Sequence, residues 1–441
     1  MRRVHIEDPR LRPYQVDDVN AMANSRGLIN ANDMGLGKTA EGIIAATHVA
    51  KDKILVIAPR SVLYHWESQW KQWAPEYSVS VLPQSLFTCS TDVVIINYEK
   101  LLNDSVMGSL RSSQWNIVLA DEGHRMKNRR SKTSERGNLI PSRYRWLLTG
   151  TPILNTPDDL YNLLHWIRPD IIGESYWQFV SLFCLVDETR FGRKIIGYTH
   201  DKDMRLLLDM ILSWTMIRVM KSEVLKELPP KNVYTVDLMM DPKQKQLYRD
   251  AQKLLFDKLP PNLTIQNAAV HLLRLMQITS NPGIYLAGCP NPKFDYIVDL
   301  VGDNPEHSYV VFTKYVATVK DLVARLTKEK ISAVIHIGEL TLEDRRNNLK
   351  KFTSKRARVL VATIASCGQG VDGLQNVSDT AIFIDADWSP AINDQAEDRL
   401  CRLGQANSVN IQYLQFPNTV DRYVGKVLQL KEDSINDILG V

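Results

Sequence analysis

Short runs of Val, Ile and Leu recur along this 441-residue chain, separated by longer stretches whose apolar residues fall at helical spacing. In the first half the runs are KILVIAP (53–59), DVVIINY (92–98), NIVLADE (116–122) and YRWLLTGTP (144–152). A second series comprises SYVVFTK (308–314), SAVIHI (332–337), RVLVATI (358–364), TAIFID (380–385) and VNIQYLQF (409–416). Near-continuous apolar strands are buried on both faces, as in parallel sheets flanked by helices. Residues 155–290 have no comparable strand set and read as helical. Within them LPPKNVY (228–234) marks a boundary, because Pro-Pro ends helices and favours extended backbone.

The pattern predicts an α/β chain of two lobes. The first covers 1–225, with a helical insertion over about 155–225, and the second 226–441, with one over about 240–290. In the tail, Val420, Val424, Val427, Leu428, Ile435, Ile438 and Leu439 lie near one helical face and predict a packed terminal helix. A partner-binding helix is the sharper alternative. Trp66, Trp70 and Trp73 also share a helical face, and behind a buried strand they read as core.

Composition changes this picture little. Hydrophobic content of 44% and charged content of 24% suit an ordinary globular chain. No run of 18 apolar residues exists, which argues against a transmembrane helix, and MRRVHIEDPR lacks the apolar stretch of a secretory signal. Cys89, Cys184, Cys289, Cys367 and Cys401 are scattered without a C-x-x-C pair, which argues against structural zinc and fits a reducing compartment. A net charge of +4 selects no partner, but two segments are strongly basic. RMKNRRSKTSER (125–136) carries six basic residues against one acid, and EDRRNNLKKFTSKRAR (343–358) seven against two.

Candidate chemistry begins at NDMGLGKT (32–39), with Asn32 where a phosphate-binding loop usually has its first Gly. Such a loop needs backbone N–H groups aimed at phosphate, a following helix N-terminus, a lysine and a metal-binding hydroxyl. Met34, Gly35, Leu36, Gly37, Lys38 and Thr39 supply these parts for ATP, with Thr39 on Mg²⁺; the bland reading is a helix start after a Gly turn. NIVLADEGH (116–124) supplies a second site. Buried carboxylates need partners, and a metal-phosphate site provides them. Asp121 is a candidate Mg²⁺ ligand and Glu122 a candidate general base. In NDQAEDRLCRLGQ (393–405), Arg399 and Arg402 are three apart, so on a helix they would point the same way as candidate arginine fingers.

With these residues in view, the chain resembles a Swi/Snf-type member of helicase superfamily two, with motifs in order over nearly its whole length. LRPYQVDDV resembles the adenine-recognising entry motif, implying that Gln15 reads the base. NDMGLGKT is similar to the family's DEMGLGKT, which also lacks the first Gly. DEGHRMKN resembles its extended acidic motif, and LLTGTPILN its coupling motif at Thr149, Gly150 and Thr151, with Leu154 where Gln is common. LVIAPRSVLYHWESQW and VIINYEKL resemble DNA-facing motifs, MIRVMKSEVLKELPPK and LLRLMQITSNP the connecting segments, and DWSPAINDQAEDRLCRLGQ the last motif. SCGQGVDGLQN (366–376) follows the family's glycine-rich motif only loosely.

The resemblance implies two tandem RecA-like lobes forming a nucleotide and DNA cleft. It implies an ATPase with Lys38, Glu122, Arg399 and Arg402 as its catalytic set, moving on duplex DNA. Implied sequence-blind phosphate contacts are Ser61, Asn97, Tyr98, Lys314, Thr363 and Trp388. The 125–136 run, directly behind the acidic strand, is the better candidate DNA face, whereas 343–358 reads as a solvated surface. QAEDRLCRLGQANSVNIQYL most resembles the annealing-helicase subgroup, whose auxiliary fork-binding domains are not visible. That implies branch migration, fork regression or annealing, with branched DNA and replication or recombination proteins as partners. A motor that strips or slides proteins on DNA, a catalytically silent scaffold and a restriction-type motor subunit are the alternatives. Compact bacterial or phage members are similar, implying a bacterial or phage-infected cytoplasm, or a nucleus if eukaryotic.

Overall fold

The computed structural model describes residues 4–82, 91–153, 156–189, 192–225, 227–257, 265–367, 371–402 and 404–439. It divides into two compact units, Met1–Lys226 with Asp433–Val441, and Glu227–Glu432.

The first unit contains β1 (Gly27–Asn30), β2 (Ile54–Ala58), β3 (Val79–Val81), β4 (Val93–Asn97), β5 (Trp115–Asp121), β6 (Ser142–Leu148), β7 (Cys184–Thr189), β8 (Gly192–Tyr198) and β9 (Met216–Ile217). Seven of these form one parallel sheet in the order β3-β4-β2-β5-β6-β1-β9. Successive residues of the central strands enter opposite cores. Leu55, Ile57, Val118 and Leu147 pack on one face; Ile54, Val56, Ile117 and Trp146 pack on the other. That double burial is why these strands lack a polar alternate face. Helices α1 (Pro13–Asn24), α2 (Lys38–Val49) and α3 (Leu63–Trp73) follow the same logic, and α3 buries Trp66 and Trp70 completely.

The second unit contains β10 (Lys231–Asp237), β11 (Tyr309–Thr313), β12 (Ala333–His336), β13 (Val359–Thr363), β14 (Thr380–Phe383) and β15 (Val409–Gln415). They form a parallel sheet in the order β10-β15-β14-β11-β13-β12. Phe312, Leu360 and Phe383 face one core, and Val311, Val361 and Ile382 the other.

Two stretches depart from the pattern-based reading of 155–290 as helical, and one is β10, an edge strand too exposed to show an apolar run. The other, residues 155–225, includes the β7–β8 antiparallel hairpin and β9, besides helices. Most of β8 is exposed or half-buried, so it carries no apolar run, and its Gly192 takes a φ of 111° at the turn. The C-terminal helix runs Val420–Leu439 and buries Val420 and Val424; the side chains of Ile435, Ile438 and Leu439 lie outside the described residues. Among the described residues, no helix is long and apolar enough to cross a membrane.

Candidate functional site

In a parallel sheet the strand C-termini gather loops and helix N-termini at one edge, where ligands bind. β1 leads there into residues 31–37 and then α2. Gly35 and Gly37 take φ values of 82° and 91°, a conformation that L side chains rarely adopt. A Cβ on Gly37 would also lie 2.4 Å from Gln15 Nε2. That amide donates to Leu36 O at 3.0 Å, Tyr14 OH donates to the same carbonyl at 2.9 Å, and Gln15 Oε1 accepts from Arg12 N. Gln15 is therefore a brace for the loop backbone, and Tyr14 is a partner the sequence reading missed. Lys38 Nζ donates to Asn32 O at 2.6 Å and Asp33 O at 3.0 Å. Burial lowers its pKa, opposed by the charges of Glu122, Glu41, Asp121 and Asp33.

The acidic strand end is built as tightly. Glu122 has a φ of 50°, a left-handed conformation that is costly for a residue with a side chain and is characteristic of functional turns. Gly123 follows because a Cβ there would fall 2.2 Å from Leu147 Cγ. Asp121 Oδ2 accepts from Trp66 Nε1 at 2.8 Å, and Oδ1 accepts from Glu122 N at 3.0 Å. Burial and the neighbouring Glu122 raise the Asp121 pKa, opposed by the Trp66 N–H and the charge of Lys38. His124 Nδ1 lies 3.3 Å from Glu122 Oε2 and 3.0 Å from Thr149 Oγ1. Burial, with Arg125 and Lys127, pushes His124 down to about 4, so the ring is neutral and bridges the acidic turn to Thr149. Thr151 N donates to Thr149 Oγ1, and a Cβ on Gly150 would lie 2.7 Å from Met34 Cγ, so residues 149–151 touch the phosphate loop as well.

Thr39 and Asp121 offer one hydroxyl and one carboxylate, an oxygen-only set that suits Mg²⁺, which keeps waters and phosphate oxygens as its other ligands. Among the described residues no group of three or more His, Cys, Asp or Glu side chains is placed to hold a metal.

The candidate DNA contacts separate by burial. Ser61 is exposed on a short 3₁₀ turn after β2. Asn97 and Tyr98 are buried: Asn97 bonds Glu99, and Tyr98 OH donates to Asp121 O at 2.6 Å. Tyr98 lies beneath the acidic turn and props it. Trp66 is likewise core as expected, yet its N–H serves Asp121. The basic run 125–136 is partly spent on the fold, with Arg125 beside Glu99 and over the Tyr98 ring, Lys127 on Asp159, Arg129 over the Tyr176 ring and Arg136 on Asp104; Arg130 and Lys132 stay exposed.

In the second unit, Lys314 and Thr363 sit at the C-terminal ends of β11 and β13. Lys314 N donates to Asp385 Oδ1 at 2.6 Å, its Nζ lies 3.3 Å from Asp387, and Thr363 is buried. Trp388 is half-buried against Tyr423. The helix expected to carry both arginines runs only over Pro390–Glu397. Bonds such as Arg399 N to Ala396 O and Gln405 N to Arg402 O tighten the chain into turns, and Gly404 takes a φ of 96°. Arg399 and Arg402 still converge, on 371–372 rather than through helical spacing. Arg399 Nη1 donates to Val371 O at 3.1 Å, and Arg402 Nη1 to Asp372 Oδ1 at 3.1 Å. Cys89, Leu154, Gly368, Gln369 and Gly370 lie outside the described residues.

Residues 14–282 match the SNF2-related domain, and residues 292–404 the helicase conserved C-terminal domain. The chain is 29% identical over 433 residues to the Xenopus laevis SWI/SNF-related matrix-associated actin-dependent regulator of chromatin subfamily A-like protein 1, covering 96% of this chain and 43% of that protein. It is 27% identical to the mouse DNA annealing helicase and endonuclease ZRANB3, covering 96% and 40%. To the ISWI chromatin-remodeling complex ATPase ISW1 of Saccharomyces cerevisiae it is 25% identical, covering 94% and 39%. It thus spans about two-fifths of the length of these relatives. A solved Sulfolobus solfataricus SWI2/SNF2 ATPase core in complex with dsDNA is 26% identical, with a TM-score of 0.47, covering 99% of this chain and 94% of that one. With the family domain matched over more than half of its length, this chain belongs to the SNF2-related family.

Proposed function

We propose that this chain is a DNA-stimulated ATPase that moves along duplex DNA and remodels branched DNA by branch migration, fork regression or annealing. The observation that carries the reading is the meeting of three motifs at one edge of the first sheet. Met34 touches Gly150, Thr149 meets His124, and His124 meets Glu122. A loop that senses phosphate is therefore wired to the turn bearing the base and to the segment that would relay the result.

In this reading Lys38 and the N–H groups opening α2 hold the phosphates of ATP. Thr39 and Asp121 would hold Mg²⁺, which supplies positive charge to the phosphate oxygens. Glu122 orients and deprotonates the attacking water. Tyr98 and Trp66 keep Asp121 fixed, and Gln15 keeps Leu36 and the loop in place. Arg399 and Arg402 stabilise charge that develops in the transition state. DNA is gripped through phosphates by exposed groups such as Ser61, Arg130 and Lys132 in the first unit, and in the second by Lys314, which is half-buried beside Asp387 and would exchange that carboxylate for a phosphate.

The annealing reading is favoured by the likeness to a protein named as an annealing helicase. Likeness to a chromatin-remodelling ATPase supports a second reading, a motor that slides or strips proteins on DNA. A silent scaffold is disfavoured, because Lys38, Asp121, Glu122, Arg399 and Arg402 are all present. ATPase rates with single-stranded, linear, forked and four-way-junction DNA, alongside movement of labelled junctions, separate the readings. Preferential stimulation and strand exchange on branched DNA support the first. Equal stimulation by linear duplex, with static junctions, supports the second.

A further inference from the structure

The first arm of the phosphate loop is tied to a remote stretch of sequence. Ala31 N donates to Ile217 O at 2.8 Å and Asp33 N to Val219 O at 3.0 Å, so the β1–β9 pairing continues beyond both strands. Side chains close the return path. Val219 N donates to Asn32 Oδ1 at 2.9 Å, and Lys221 N donates to Asp33 Oδ2 at 2.9 Å. Asn32 is completely buried, and its Nδ2 donates to Asp18 Oδ2 at 2.7 Å and lies 3.4 Å from Glu41 Oε2. One amide thus joins α1, α2 and the 217–221 segment. An amide is the group that fits, since it accepts from Val219 N while donating to a carboxylate. An aspartate in its place would set a third acid against Asp18 and Glu41, and glycine would leave Val219 N without its acceptor. Asn32 and Asp33 also carry Lys38 on their carbonyls.

We infer that Asn32 and Asp33 are positioning residues that couple the nucleotide state of Lys38 to the 217–221 segment. That segment continues through the Lys221–Val224 helix towards the second unit, which starts at Glu227. The inference rests on the proposed phosphate role of Lys38. A phosphate that draws the ammonium away removes two charge-assisted hydrogen bonds from Asn32 O and Asp33 O. Both residues then settle anew, and their side chains take the Val219 and Lys221 amides with them. By linkage, any event that shifts 217–221 changes nucleotide affinity by the same factor.

Hydrogen exchange of the full chain at the Val219 and Lys221 amides, with and without ADP or a non-hydrolysable ATP analogue and Mg²⁺, reads this directly. Nucleotide affinity is measured in parallel. In the wild type, exchange over 217–221 changes by about fivefold or more on nucleotide binding. Asn32→Ala reduces that response to below about twofold while nucleotide still binds. Lys221→Pro guards against a folding defect in the buried variant. It deletes the N–H that Asp33 accepts, along with the lysine side chain, for which Lys221→Ala is the control, at the first position of its helix and after an extended Met220 (φ −91°, ψ 144°), where proline fits. The proline variant too loses the response. Bound nucleotide with unchanged exchange over 217–221 in the wild type overturns the inference. Failure to bind nucleotide at all overturns the proposed function instead.

Discussion

Lys38 and Arg402 are both candidate phosphate-facing cations, yet the fold holds them in opposite ways. Lys38 lies among backbone carbonyls, within the field of four carboxylates, inside a network that reaches three helices. Arg402 rests on one carboxylate, Asp372, whose side chain is 74% exposed. The Arg402 side chain is itself only 23% exposed, so water screens the pair mainly from the Asp372 side. The difference teaches where each unit keeps its order. The first unit builds its cation into a network of helices and carboxylates, whereas the second rests Arg399 on Val371 O and Arg402 on Asp372, beyond the end of a short helix.

The sharpest break of that comparison comes from the first unit. Glu122→Gln keeps the shape of the turn and removes the proposed base. Turnover should fall by about 10³-fold, with nucleotide affinity changed less than about threefold in a binding titration. Normal turnover would remove Glu122 from the role. Arg402→Ala comes next, with kcat lowered by about 10²-fold and a much smaller change in KM; a loss of affinity at unchanged maximal rate contradicts it. Asp372→Asn tests the contact with Arg402 and should change kcat by less than about threefold. Trp66→Phe removes the N–H from Asp121 while filling most of the same space. We expect about a tenfold loss in kcat and about 1–2 kcal/mol of stability by denaturant titration. Tyr98→Phe, acting on the same turn through Asp121 O, should repeat the loss on a smaller scale.

The smallest effect is one of pH in the second unit. Burial, together with Glu397, raises the Asp394 pKa to about 7 from an ordinary 3.8. Between those values the folded chain holds a proton that the unfolded chain has released, so this group costs stability as pH rises through that window. Asp394→Asn should leave stability near pH 4 almost unchanged and raise it, relative to wild type, by on the order of 1 kcal/mol at pH 8. Parallel melting curves of the two proteins at both pH values would contradict this.

Much of this fold was legible because its strands are buried on both faces and read as apolar runs; Val94–Ile96 and Val359–Val361 need no context to be seen. The hairpin was not, since β8 is largely exposed and its pairing depends on a turn rather than on a core. At the site, the nearness of Lys38 to Asp121 and Glu122 was legible from two motifs that a phosphate site would call for together. Their supports were not. Tyr14, Trp66, Tyr98 and His124 reach their partners through tertiary contacts 22, 55, 23 and 25 residues away, and no local pattern encodes these. The arginine turn failed for a related reason: three-residue spacing implies one face only if the helix persists, and it ends at Glu397.

The most direct test is steady-state ATP hydrolysis by the wild-type chain, measured with Mg²⁺ and with increasing linear duplex DNA. Turnover should rise by about tenfold or more and saturate, with the gain falling as salt rises because the grip is on phosphates. Hydrolysis indifferent to duplex at every salt concentration would contradict the account of this chain as a DNA-driven motor.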